Sequence, residues 1–150
     1  MGADGKVAWS RKTIYLAEVP ALSSDGNYVA VVDGLPEGCV DSASVGENGM
    51  GTACDSYYLT VLDASGNESL HLGPFDGVNA IQLTKNGRYG RAFCGDIKHH
   101  NTYWILFDVE KKSVCRRSVD EMLGTPLIHE SGELEVINSV TGKREKRTKW

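Results

Sequence analysis

Cys94, Asp96, His99 and His100 fall within seven residues of one another. A Cys beside a His is the raw material of a nucleophilic thiol. That chemistry needs the base in contact and an electropositive setting. Cys94 closes the apolar run Ala92-Phe93-Cys94, which favours a buried, inert thiol. Adjacent histidines on a strand or tight turn point apart, so chelation of one metal ion by His99 and His100 together is strained. His71 and His129 have no spacing that adds them to the pair. With Asp55, the residues Asp96, His99 and His100 are the candidate ligand-binding positions. No catalytic residue and no metal site is assigned, and no cofactor is expected.

A second candidate is the glycine-rich stretch Gly46-Glu47-Asn48-Gly49-Met50-Gly51. Its backbone N–H groups suit an anion, but the Lys-Ser/Thr of a phosphate loop is missing and no helical pattern follows. The aromatics Tyr57, Tyr58, Tyr103, Trp104 and Phe107 suit either a ligand pocket or a core, and period-2 alternation sends one face of them to the core in any case. The tail 143–149 has five basic residues and one acidic. Its net +4 in a chain of net −4 leaves the remainder at −8. An acidic body argues against a broad nucleic-acid surface, so nucleic acid is an unlikely partner except at this tail. No apolar run approaches the ~20 residues that span a bilayer. No basic segment followed by a hydrophobic stretch opens the chain, so cytoplasmic is the default location.

The four cysteines form no CxxC pair. Cys94 and Cys115 fall on strands separated by a third, about 10 Å apart at ~4.8 Å per strand, too far for a disulfide. Cys39 and Cys54 bracket one long connection and suit a bridge in an oxidising compartment. Free buried thiols in a reducing one are the plainer reading.

The elements that must position these groups are written twice. Leu22-Ser23-Ser24-Asp25-Gly26-Asn27-Tyr28 recurs as Leu83-Thr84-Lys85-Asn86-Gly87-Arg88-Tyr89. Each phrase is followed later by an aromatic-apolar run ending in Asp, Tyr58 to Asp63 and then Tyr103 to Asp108. A strand, an Asx-Gly turn, a second strand and a third have been repeated, which is the mark of a repeated antiparallel unit. Strands are expected at 6–9, 13–19, 28–32, 56–62 and 68–72. In the second unit they are expected at 78–83, 88–94, 103–108 and 113–118. Residues 73–77 read as a connector, 95–102 as a loop and 119–124 as one helical turn. Residues 34–55, rich in Gly and small polar residues, form a long irregular connection without counterpart in the second unit. Connections of that length in compact domains usually have a function. A shortened third copy is expected over 126–147. The whole reads as a single all-β domain over 1–150, with units at 21–72, 78–118 and 126–147.

This pattern resembles one blade of a β-propeller of the WD or PQQ-like kind. The resemblance is carried by Ala80 to Arg117, less closely by Ala21 to Leu72 and faintly by 126–147. The Gly-His dipeptide of WD repeats is absent, and Phe107-Asp108 stands where Trp-Asp would be. The resemblance implies four-stranded antiparallel meanders. Propellers close with four to eight blades, so two full units and fragments are too few for a ring in one chain. Incomplete closure leaves edges and faces that need cover. The expectation is therefore a non-catalytic binding or protein-interaction module that forms homo-oligomers and has room for a protein partner. The rival is a small-molecule- or metal-binding protein or hydrolase that uses the 34–55 and 95–102 loops.

Overall fold

The computed structural model describes residues 9–10, 20–34, 56–96 and 101–147, together with the backbone of 39–40 and 53–54. The strands expected at 6–9 and 13–19 lie outside the described residues, except for Trp9, whose indole Nε1 donates to the Ala64 carbonyl at 3.0 Å.

The fold is all-β, and three antiparallel sheets follow one another along the chain. The first comprises β1 (Ala21–Leu22), β2 (Tyr28–Gly34), β5 (Tyr57–Asp63) and β6 (Glu68–Phe75), side by side in that order. Between β2 and β5 the chain forms a separate two-stranded ladder, β3 (Cys39–Val40) with β4 (Ala53–Cys54). The second sheet is a plain meander of β7 (Gly77–Leu83), β8 (Tyr89–Asp96), β9 (Asn101–Asp108) and β10 (Ser113–Ser118). A single helical turn, α1 (Val119–Met122), leads to a third sheet of three strands: β11 (Gly124–Ile128), β12 (Leu134–Asn138) and β13 (Arg144–Arg147). Among the described residues the sheets close into neither a barrel nor a ring.

Strand β9 explains how the sheets stack. Its side chains alternate between two apolar clusters, as period 2 demands. Tyr103, Ile105 and Phe107 join Ala30, Val32, Leu59, Val61 and Leu70 of the first sheet. Trp104 and Leu106 face the other way, onto Ile128, Leu134 and Val136 of the third and onto Met122 of the helical turn before it. The second sheet is therefore covered on both faces. That is why its central strand reads as an unbroken apolar run rather than as an alternation.

The repeated phrase builds the same turn twice. In the first copy Ser23 Oγ bonds to Asp25 Oδ1 and accepts from the Tyr28 N–H, while Gly26 N–H donates to the Ser23 carbonyl. In the second, Thr84, Asn86, Tyr89 and Gly87 make the equivalent bonds. The hydroxyl residue before the turn thus takes up a backbone donor that the hairpin cannot pair. A third turn, at His129-Glu130-Ser131-Gly132, keeps the bond from the glycine N–H to the carbonyl three residues back.

The helical turn expected at 119–124 is present. A capping box starts it: Glu121 N–H donates to Ser118 Oγ, and the Ser118 N–H donates to Glu121 Oε2. Leu123 ends it in the left-handed conformation.

Three readings of the chain shift, the first being the 95–102 loop, since β8 runs to Asp96 and β9 begins at Asn101. The stretch 73–77 is mostly strand rather than connector: β6 runs to Phe75, through a cis Gly73–Pro74 bond, and β7 begins at Gly77. The 34–55 connection is not wholly irregular, because it contains the β3–β4 ladder.

Candidate functional site

Antiparallel meanders sort their connections onto two ends. The turns 22–28, 63–68, 83–89, 108–113 and 128–134 share one end, where the Asp25 N–H donates to the Lys85 carbonyl of the next sheet. The β2–β5 connection with its β3–β4 ladder, the β8–β9 connection, Asp76 and α1 belong to the opposite end of their sheets. There the Ser139 N–H donates to the Leu123 carbonyl.

The turn end has its polar groups committed to structure. Asp108 is 2% exposed, accepts from the Lys111 N–H at 3.0 Å and lies 3.6 Å from an Arg88 guanidinium nitrogen. Asp25 and Asp63 cap their turns. The Ser23 hydroxyl, then the Asn27 N–H, hold the Asp25 carboxyl below the usual range. The Asn67 backbone and side chain do the same for Asp63.

The connection end carries a cleft of about 450 Å3 where β9 begins, lined by Asn101, Thr102, Tyr103, Arg116, Ser118, Val119 and Asp120. In its lining the Arg116 guanidinium carbon lies 3.4 Å from the centroid of the Tyr103 ring. The register pairs Tyr103 with Ser118 and Arg116 with Ile105, so both side chains come from neighbouring strands. A cation on an aromatic face can also donate its N–H groups to an anionic or carbonyl group. Asp120 adds an acceptor at the rim. Side chains of this kind bind and orient, and among the described lining residues the Ser118 Oγ accepts from the Glu121 N–H of the capping box.

Of the candidate positions, Asp55, His99 and His100 lie outside the described residues. Asp96 is not in a loop, because β8 extends to it and pairs it with Asn101 in the ladder. Cys94 is fully buried, and burial pushes its thiol up to about 12 against the opposing charge of Arg116. A thiol so raised is no nucleophile at neutral pH.

A triad-like group elsewhere fails on geometry. Thr60 Oγ1 is 3.0 Å from His71 Nδ1, and Glu68 Oε2 is 3.7 Å from that same nitrogen. A relay needs the acid on the other ring nitrogen. Thr60 is also wholly buried, and His71 stacks on Tyr58 at 5.0 Å. Among the described residues no three His, Cys, Asp or Glu side chains converge as metal ligands. No described helix is long and apolar enough to cross a membrane.

Sequence reasoning missed the Arg116–Tyr103 pair, because nothing local marks two residues thirteen apart as neighbours. The Ser118-x-x-Glu121 spacing was the readable signal for the wall beside them.

No family model matches the chain, and no curated protein matches it in sequence. A solved structure does match in shape: the β-propeller domain of the Trilobed protease from Pyrococcus furiosus, described as having an open velcro topology. The TM-score is 0.50 at 12% identity, over 87% of this chain. This chain spans 42% of that one. An identity so low speaks for the fold alone. With the two four-stranded meanders and the three-stranded third sheet, it establishes the chain as a partial run of β-propeller-like blades.

Proposed function

We propose that the protein is a non-catalytic binding and interaction module that associates with copies of itself, with its ligand-facing site at the end bearing the 34–55 and 95–102 connections. The observation that carries this reading is the third sheet. Its inner face buries Pro126, Ile128, Leu134 and Val136 against the second sheet. By register its outer face presents Thr125, Leu127 and Ile137 beside Glu135, Arg144 and Lys146. Among the described residues no further sheet lies on that face. Leu127 and Ile137 there occupy the positions that, on a stacked blade, would meet the next one. Introducing charge with Leu127→Glu and Ile137→Glu is expected to return the protein to a 16.3 kDa particle by light scattering. A wild type and a double variant of the same larger mass would count against this face.

The second reading, a small-molecule-binding protein, has the Arg116–Tyr103 cleft in its favour. A ligand at 100 times its dissociation constant adds ~2.7 kcal/mol of stability. Thermal stabilisation by nucleotides, sugars or organic acids, lost in Arg116→Ala, supports it. A flat response across those classes removes it.

A further inference from the structure

The β3–β4 ladder sets Cys39 directly opposite Cys54, with Val40 opposite Ala53. Directly opposed residues of an antiparallel pair have Cα atoms ~4.5 to ~5.5 Å apart. A disulfide accepts Cα separations of ~4.4 to ~6.8 Å. The backbone register therefore sets the two cysteines opposite each other, at a separation a disulfide accepts. The other two thiols have no such arrangement. Cys94 is on β8 and Cys115 on β10, with β9 between them. Both are free.

A ladder of two residue pairs is also too small to persist by its own hydrogen bonds. Isolated hairpins are marginal in water even when longer, and closing the intervening residues 41–52 costs chain entropy. Something beyond two pairs must hold it, and the residues at its outer position are both cysteine.

We propose that Cys39 and Cys54 form an intramolecular disulfide that closes residues 39–54 into a covalent ring and makes the joining of β3 to β4 redox-dependent. The bond forms by thiol–disulfide exchange with a small disulfide oxidant of the glutathione class. One cysteine thiolate attacks the oxidant and expels a glutathione thiolate. The second attacks the mixed disulfide and expels another. Two protein thiols lose two protons and two electrons, and one oxidant disulfide becomes two thiols.

The sequence supplies a clean test. Cleavage after glutamate places Cys39 on fragment 38–47, Cys54 on 48–68, Cys94 on 69–110 and Cys115 on 111–121. Native protein is equilibrated with glutathione disulfide, quenched in acid, alkylated under denaturant and digested without reductant. The expected product is fragment 38–47 linked to 48–68, from protein that runs as a single chain on a non-reducing gel. The equilibrium constant for that link against glutathione should be about tenfold or more higher in native protein than in urea, because a native register favours the bond. Four alkylated cysteines, a link to Cys115, a link between chains, or equal constants in native and unfolded protein would each overturn the proposal.

Discussion

Tyr28 of the first sheet lies against Gly87 of the second, so closely that a Cβ on Gly87 would fall 2.9 Å from Tyr28 Cβ and Cγ. One repeat later Tyr89 meets Gly132 in the same manner, with its hydroxyl 2.8 Å from a Cβ built there. The aromatic that closes one Asx-Gly turn is seated on the glycine of the next. The repeated phrase therefore folds each hairpin and also couples it to its neighbour.

Gly87→Ala is expected to destabilise more than Gly26→Ala. Both glycines have positive φ, +70° and +74°, so both variants incur the left-handed strain of about 1 kcal/mol. Only Gly87 has Tyr28 against it; nothing lies within 4 Å of a Cβ at Gly26. The overpacking adds roughly 1–3 kcal/mol. Urea denaturation of the two variants measures the difference, and equal losses would mean that the seat has no energetic weight.

Arg91 ties the second sheet to the third. Its Nε and one terminal nitrogen donate to Gln82 Oε1 at 3.0 and 2.7 Å, and the other terminal nitrogen donates to the Pro126 carbonyl. Its guanidinium also lies 5.2 Å from the Trp104 ring centroid. A lysine cannot reproduce that fork. Arg91→Lys is expected to cost about 1–3 kcal/mol in denaturant unfolding, with hydrogen exchange rising first in β11 and β12. Unchanged protection there would contradict the tie.

Cys94 and Cys115 should separate in thiol labelling. The Cys94 thiol, raised to about 12 by burial, requires unfolding before it reacts. Cys115, half-buried on the outer strand β10, should label in the native protein. Labelling both at one rate would place Cys94 in solvent.

The Asp25 and Asp63 turns predict an acid limb. Both carboxyls have folded pKa values below their ordinary 3.8. Such a group stabilises the fold above its unfolded pKa, and that contribution is lost as pH falls through the folded value. Stability should fall as pH drops below about 4. Asp25→Asn with Asp63→Asn should flatten that limb while leaving the neutral-pH fold intact. An unchanged limb would assign it to other carboxylates.

Much of the scaffold was legible because it is local. Asx-Gly turns, β-branched runs and the helical turn at 119–124 announce themselves within a few residues, and a repeated phrase implies repeated structure. Cys94 was readable as buried from its apolar neighbours. What escaped depends on the third dimension. Tyr28 on Gly87 joins two copies of one phrase, and Arg116 on Tyr103 joins two strands. Asp96 looked like loop because Gly95 and Asp96 are poor strand formers, yet pairing with Thr102 and Asn101 extends the ladder over them. The β3–β4 ladder was hidden because two residues per strand leave no periodicity to detect.

The most direct measurement is the mass in solution, by sedimentation equilibrium over a wide concentration range. An account of stacked blade-like sheets that are completed by association predicts a multiple of 16.3 kDa. A particle that stays at 16.3 kDa at the highest concentration would contradict it.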